Sequence, residues 1–67
     1  MRTGPAIVRL PNGSEFEGET LYDGIAFTLE GSLRHIEGVA DTRTVRLGPR
    51  VERTWPANAV AEVRWQA

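Results

Sequence analysis

The chain has 67 residues, eight arginines without a lysine, nine acidic residues, one histidine and no cysteine, so its net charge is −1. A chain this short holds one domain, residues 1–67, near the lower size limit for independent folding. The composition excludes disulfides, thiol chemistry and the common zinc sites, so we expect partner subunits or an unusually well-packed barrel to supply further stability.

The first strand is predicted over residues 6–10, where apolar and polar side chains alternate with a period of two. Asn12 and Gly13 follow, and this dipeptide favours a tight type I′ hairpin because both residues tolerate positive φ angles. Residues 1–5 show no such pattern and are expected to fray.

The second strand is predicted over residues 15–22, with Phe16 and Tyr22 on one face and a ladder of glutamates on the other. Gly18, in the middle of this strand, predicts a sharp bend or bulge of the kind that a small sheet needs in order to curl. Asp23 and Gly24 repeat the hairpin signal.

The remaining strands are shorter. Ile25 opens a third apolar row, and residues 31–41 fit either a continued strand or a loop across a barrel mouth. Alternation returns over residues 42–47 and 51–55, and residues 56–59 indicate a single helical or 3₁₀ turn before a last short strand. Five or six short strands predict an all-β fold, a small antiparallel barrel of the Sm-like or SH3-like kind.

The longest uninterrupted apolar runs are three residues, so no membrane span or signal peptide is expected and a cytoplasmic protein is the default. A basic set made only of arginine is common in GC-rich genomes, which suggests an actinobacterial or bacteriophage source. No nucleophile elbow, phosphate-binding glycine loop or cofactor motif is present. We therefore expect a non-enzymatic protein without a cofactor or a bound metal.

Charge is segregated along the chain. Residues 14–30 carry five acidic and no basic residues, whereas residues 43–53 carry four arginines and one glutamate. Arginine forks bind anions bidentately, so the basic stretch is the best candidate for a ligand or partner contact, with ion pairing to the acidic strand as the competing interpretation. The candidate contact residues are Arg43, Arg46, Arg50, Arg53 and the single histidine, His35, for which a surface position is the simpler interpretation.

A second group of residues is predicted to form an interface. Glu15, Glu17 and Glu19 share one strand face, and their side chains point in parallel rather than converging on a cation. Trp55 ends an alternating strand and fits either a core position or an interface anchor.

Four segments together resemble the Sm-like small β-barrels: residues 8–13, 16–18, 23–29 and 54–63. These four segments hold 26 of the 67 residues. It implies ring or dimer assembly through edge-strand pairing. Three features depart from the family: no N-terminal helix, a long connection before the fourth strand, and Pro56, Ala57 and Asn58 where bacterial members carry basic and histidine residues. We expect a homo-oligomeric assembly module that binds protein partners, with an RNA- or nucleotide-binding ring as the alternative.

Overall fold

The computed structural model describes residues 1–35 and 51–66. It contains five strands and one 3₁₀ turn: β1 (Arg2–Arg9), β2 (Glu15–Tyr22), β3 (Ala26–His35), β4 (Val51–Pro56), the turn Ala57–Ala59, and β5 (Glu62–Trp65). All neighbouring strands are antiparallel, and their order across the sheet is β4-β3-β2-β1-β5. The all-β prediction is confirmed. The described strands form one open sheet rather than a hydrogen-bonded closed barrel.

The first hairpin lies where it was predicted, but its turn is longer than a two-residue type I′ turn. The Gly13 N–H donates to the Leu10 carbonyl (3.0 Å), and the Leu10 N–H donates to the Ser14 carbonyl (2.8 Å). Pro11 and Asn12 therefore occupy the centre of the turn, and Gly13 follows with φ +91°. Proline favours the first central position of a turn because its ring fixes φ, and glycine accepts the left-handed conformation that comes next.

The second hairpin is closed by Asp23. Its Oδ1 accepts the backbone N–H groups of Ile25 (2.8 Å) and Ala26 (2.9 Å), while Gly24 takes φ +96°. The prediction that Ile25 begins an inward apolar row is wrong, since its side chain is 78% exposed. The carboxylate places Ile25 inside the turn, and strand alternation begins only at Ala26.

Residues 2–5, which were expected to fray, belong to β1. Arg2 is the first residue of β1 and lies opposite Tyr22, so the pairing with β2 extends over the full length of both strands. The alternation of apolar residues does not reveal that residues 2–5 belong to the strand, because backbone pairing, rather than side-chain burial, holds them in the sheet. Residues 31–35, for which the sequence fitted either a strand or a loop, continue β3. The rest of that segment and the strand predicted over residues 42–47 lie outside the described residues.

The hydrophobic core lies on one face of the sheet, here called the inner face. Val8, Phe16, Leu29 and Leu33 form its buried cluster. Four partly buried residues pack against that cluster: Leu10, Trp55, Val60 and Val63. Directly opposite residues of antiparallel strands share a face, and the register places Val8, Phe16 and Leu33 in one row across three strands. The predicted inward parity of β2 agrees with this row.

Two local features shape β2. Gly18 lies opposite both Ala6 and Gly31, so three small residues cross the sheet in one row. A Cβ atom built on Gly18 would lie 2.6 Å from the Gly31 Cα, which shows how closely the two backbones approach. The only register shift in the β2–β3 ladder falls between Glu15 and Phe16, so the irregularity in pairing is at the strand start.

The late turn agrees with the sequence. Ala57–Ala59 forms a single 3₁₀ turn that begins directly after Pro56. The Ala61 N–H then donates to the Arg9 carbonyl (2.8 Å), which directs β5 onto β1. None of the helical segments in the described ranges is long and apolar enough to cross a membrane.

Candidate functional site

The edge of β4 that points away from β3 is one candidate binding surface. At the end of the β3–β4 ladder the Ala57 N–H donates to the Ile25 carbonyl (2.9 Å). Backbone groups alternate in direction along an antiparallel strand, so the amides of Trp55 and Arg53 face β3 and that of Thr54 faces outward. No described strand pairs with this side of β4. Pro56 also lies at an outward position, where its missing N–H costs no ladder bond.

The edge of β5 that points away from β1 is the second candidate binding surface. The Gln66 N–H donates to the Pro5 carbonyl (2.8 Å), and the same alternation turns the amides of Val63 and Trp65 away from β1. Among the strands of residues 1–35 and 51–66, β5 is paired on one side only. Such rows of unpaired backbone groups are templates for pairing with another chain.

The face opposite the core, here called the outer face, is acidic. Glu19 on β2 lies directly opposite Glu30 on β3, and Glu30 lies opposite Glu52 on β4. All three side chains are exposed. They border a groove of about 190 Å³, whose other lining residues are Thr3, Thr20, Leu21 and Thr28. Like charges in direct opposition repel, so this row favours a cationic environment.

Glu15 differs from the other predicted interface glutamates. Its side chain is only 13% exposed, and it accepts from Arg34 Nη1 at 2.9 Å and Arg64 Nη2 at 3.3 Å. Arg34 belongs to β3 and Arg64 to β5, so one carboxylate links strands on both sides of the β1–β2 hairpin. Glu17 lies more loosely beside Arg34, at 4.0 Å from its Nε, and is 55% exposed.

Arg53 and Trp55 belong to the inner face of β4. Arg53 lies opposite Leu29 and is exposed, while Trp55 lies opposite Phe27 and packs its ring on Phe16 with centroids 5.0 Å apart. The row through Trp55 continues across the sheet to Phe27, Tyr22 and Arg2. Tyr22 and Phe27 are stacked with centroids 4.4 Å apart.

The remaining predicted contact residues divide into two groups. His35 is the last residue of β3 and lies opposite Glu15 in the register. Arg43, Arg46 and Arg50 fall outside the described residues. The grouping of these side chains with Arg53 therefore stays a prediction.

The sequence did not identify Glu30 and Glu52 as neighbours of Glu19, or Arg34 and Arg64 as the partners of Glu15. Strand parity places such residues on one face, but only the register decides which of them lie opposite each other. Across residues 1–35 and 51–66, no three histidine or acidic residues are arranged to hold a metal ion. Asp23 is outside the acidic row; the backbone N–H groups of Ala26 and Ile25 lower its pKa from 3.8.

Comparison with known proteins adds no relatives: no family model, curated protein or solved structure matches the chain.

Proposed function

We propose that this chain is a non-enzymatic binding and assembly module that acts through protein–protein contacts, with further copies of itself as its first partners. The observation that carries this proposal is the pair of open edges, β4 and β5, in the described sheet. The amides of Thr54 and of Val63 and Trp65 face outward there, so a strand from another molecule would extend the sheet at little conformational cost.

The size of the protein supports the same proposal. Six hydrophobic residues are buried in the described ranges: Ala6, Ile7, Val8, Phe16, Leu29 and Leu33. A core this small supplies limited stability, and pairing with a second copy would add backbone hydrogen bonds and apolar contacts. Cytoplasmic localisation and an actinobacterial or phage source remain part of this proposal.

Proline substitution tests the edges directly, because it removes an outward N–H without removing a ladder bond inside the molecule. Thr54→Pro addresses β4 and Trp65→Pro addresses β5. Thr54→Val and Trp65→Val serve as matched controls that keep the amide. We expect the wild type to sediment as an oligomer at micromolar concentration, and at least one proline variant to sediment as a folded smaller species while its valine control does not.

Two results would contradict this function. If the wild-type protein remains monomeric at micromolar concentration, the proposal that it self-assembles is wrong. An oligomer that persists in both folded proline variants shows that the copies meet elsewhere than at the sheet edges. Circular dichroism of each variant separates loss of assembly from loss of fold.

A second candidate function, RNA or nucleotide binding, is favoured by the position of Arg53. This exposed arginine shares the inner face with Trp55 and with the stacked pair Tyr22 and Phe27. Arginine beside aromatic rings is a common arrangement for phosphate contact and base stacking. Binding of a short oligonucleotide that weakens as salt rises and is lost in Arg53→Ala would support it, and no binding at low salt would exclude it.

A further inference from the structure

Asn12 and Gly13 form a reactive dipeptide in the first hairpin that the assembly function does not use. Asn12 is exposed, and Gly13 has no side chain to hinder approach to its backbone nitrogen. We infer that Asn12 is a site of spontaneous deamidation, and that the folded hairpin controls when the reaction occurs.

The reaction needs only the protein and water. The backbone nitrogen of Gly13 loses its proton to solvent base and attacks the Asn12 side-chain carbonyl carbon Cγ. The new N–C bond closes a five-membered succinimide, and the side-chain NH₂ group takes up one proton and leaves as ammonia. Water then opens the ring at either carbonyl, which gives aspartate or isoaspartate at position 12.

The hairpin holds both reacting groups. The Gly13 N–H donates to the Leu10 carbonyl at 3.0 Å, and Gly13 is buried, so hydroxide has poor access to the proton that must leave. The Asn12 Oδ1 accepts the Ser14 N–H at 3.0 Å, which fixes the side chain in the turn. Both hydrogen bonds must open before the nitrogen can reach Cγ. The rate in the folded protein therefore follows the population of opened hairpin.

The two products should affect the fold differently. Aspartate keeps the side-chain oxygen that accepts the Ser14 N–H, so the turn survives with one more negative charge. Isoaspartate inserts an extra carbon into the main chain inside a turn closed by Leu10 and Ser14. Glu15 directly follows Ser14, so this insertion displaces the Glu15 carboxylate from Arg34 and Arg64. Isoaspartate formation should therefore loosen the link between β2, β3 and β5.

The test follows deamidation by mass spectrometry in mildly alkaline buffer, with peptide mapping to separate aspartate from isoaspartate. The wild type is incubated native, in a series of urea concentrations, and unfolded. We expect the native rate to be at least about tenfold below the unfolded rate, equivalent to ~1.4 kcal/mol of opening. Glu15→Gln should raise the native rate, and the urea series gives the same comparison if that variant does not fold.

Asn12→Asp is the matched control for the aspartate product, since it has no side-chain amide to lose, and it should keep the urea midpoint of the wild type. Equal rates of Asn12 deamidation in native and unfolded protein would show that the folded hairpin does not slow the reaction. Absence of deamidation at Asn12 in the unfolded chain would show that Asn12 is not a deamidation site. An isoaspartate fraction with an unchanged urea midpoint would overturn the structural consequence.

Discussion

Gly18 on β2 and Gly31 on β3 lie directly opposite each other, and neither position has room for a side chain. A Cβ atom on Gly31 would lie 2.7 Å from the Gly18 Cα and closer still to the Glu17 carbonyl oxygen. The neighbours are backbone atoms of a paired strand, which cannot move aside as a flexible side chain would. The close approach of β2 and β3 therefore depends on both glycines.

Gly18→Ala should lower the free energy of unfolding by about 1–3 kcal/mol, the cost of overpacking a well-packed site. Gly24→Ala is the comparison, because it has positive φ but no atom within 4 Å of an added Cβ, and should cost about 1 kcal/mol from backbone conformation alone. Urea unfolding measures both. A Gly18→Ala variant less affected than Gly24→Ala would contradict the tight crossing.

Glu15→Gln should lower the free energy of unfolding by about 1–2 kcal/mol, because it leaves the charges of Arg34 and Arg64 without their shared carboxylate. Both arginines are half exposed, so solvent limits the loss. Thermal and urea denaturation at moderate salt provide the measurement. No loss of stability would show that the two ion pairs do not hold the hairpin against β3 and β5.

Glu19→Gln should raise the free energy of unfolding, whereas Glu15→Gln lowers it. Glu19 faces Glu30 directly, and Glu30 faces Glu52, so removing one charge from the row relieves repulsion worth about 0.2–1 kcal/mol at low salt. The gain should shrink as salt screens the remaining charges. Urea midpoints of wild type and variant at low and high salt test this prediction, and a salt-independent difference would refute it.

Leu29→Ala should be the most damaging of these substitutions. Leu29 is 1% exposed and belongs to the central cluster. Loss of a buried leucine side chain costs about 2–5 kcal/mol, whereas a chain of this size has a total stability of roughly 3–10 kcal/mol. We expect circular dichroism to show cooperative unfolding at a much lower urea concentration than in the wild type. A cooperative transition close to that of the wild type would contradict the position of the core.

Asp23 should contribute an acid-dependent part of the stability. The N–H groups of Ala26 and Ile25 lower its pKa in the folded state below 3.8, so the unfolded state takes up the proton first. The contribution is complete above pH 3.8 and is lost as the pH falls through the folded pKa. Asp23→Asn keeps an acceptor oxygen without the titration, so the difference between variant and wild type should change across this window. A constant difference would contradict the assignment.

The sequence alone determined β2, most of β1, β4 and β5, the positions of both hairpins and the single helical turn, because period-two alternation and turn residues act locally. It also placed Phe16 and Tyr22 on the same face as the other apolar rows, since side chains alternate strictly along a strand. It failed where tertiary pairing overrides local pattern: residues 2–5 join the sheet through backbone bonds, and Ile25 belongs to the Asp23 turn.

Only the tertiary structure decided which side chains meet. The glutamates of β2 looked equivalent in sequence, yet Glu15 holds two arginines from β3 and β5 while Glu19 joins an acidic row with residues of β3 and β4. The difference arises from the register, which depends on the turn lengths and on the register shift between Glu15 and Phe16. Strand order likewise left β4 and β5 at the margins, because pairing between distant segments is set by the assembled sheet and not by any local run of residues.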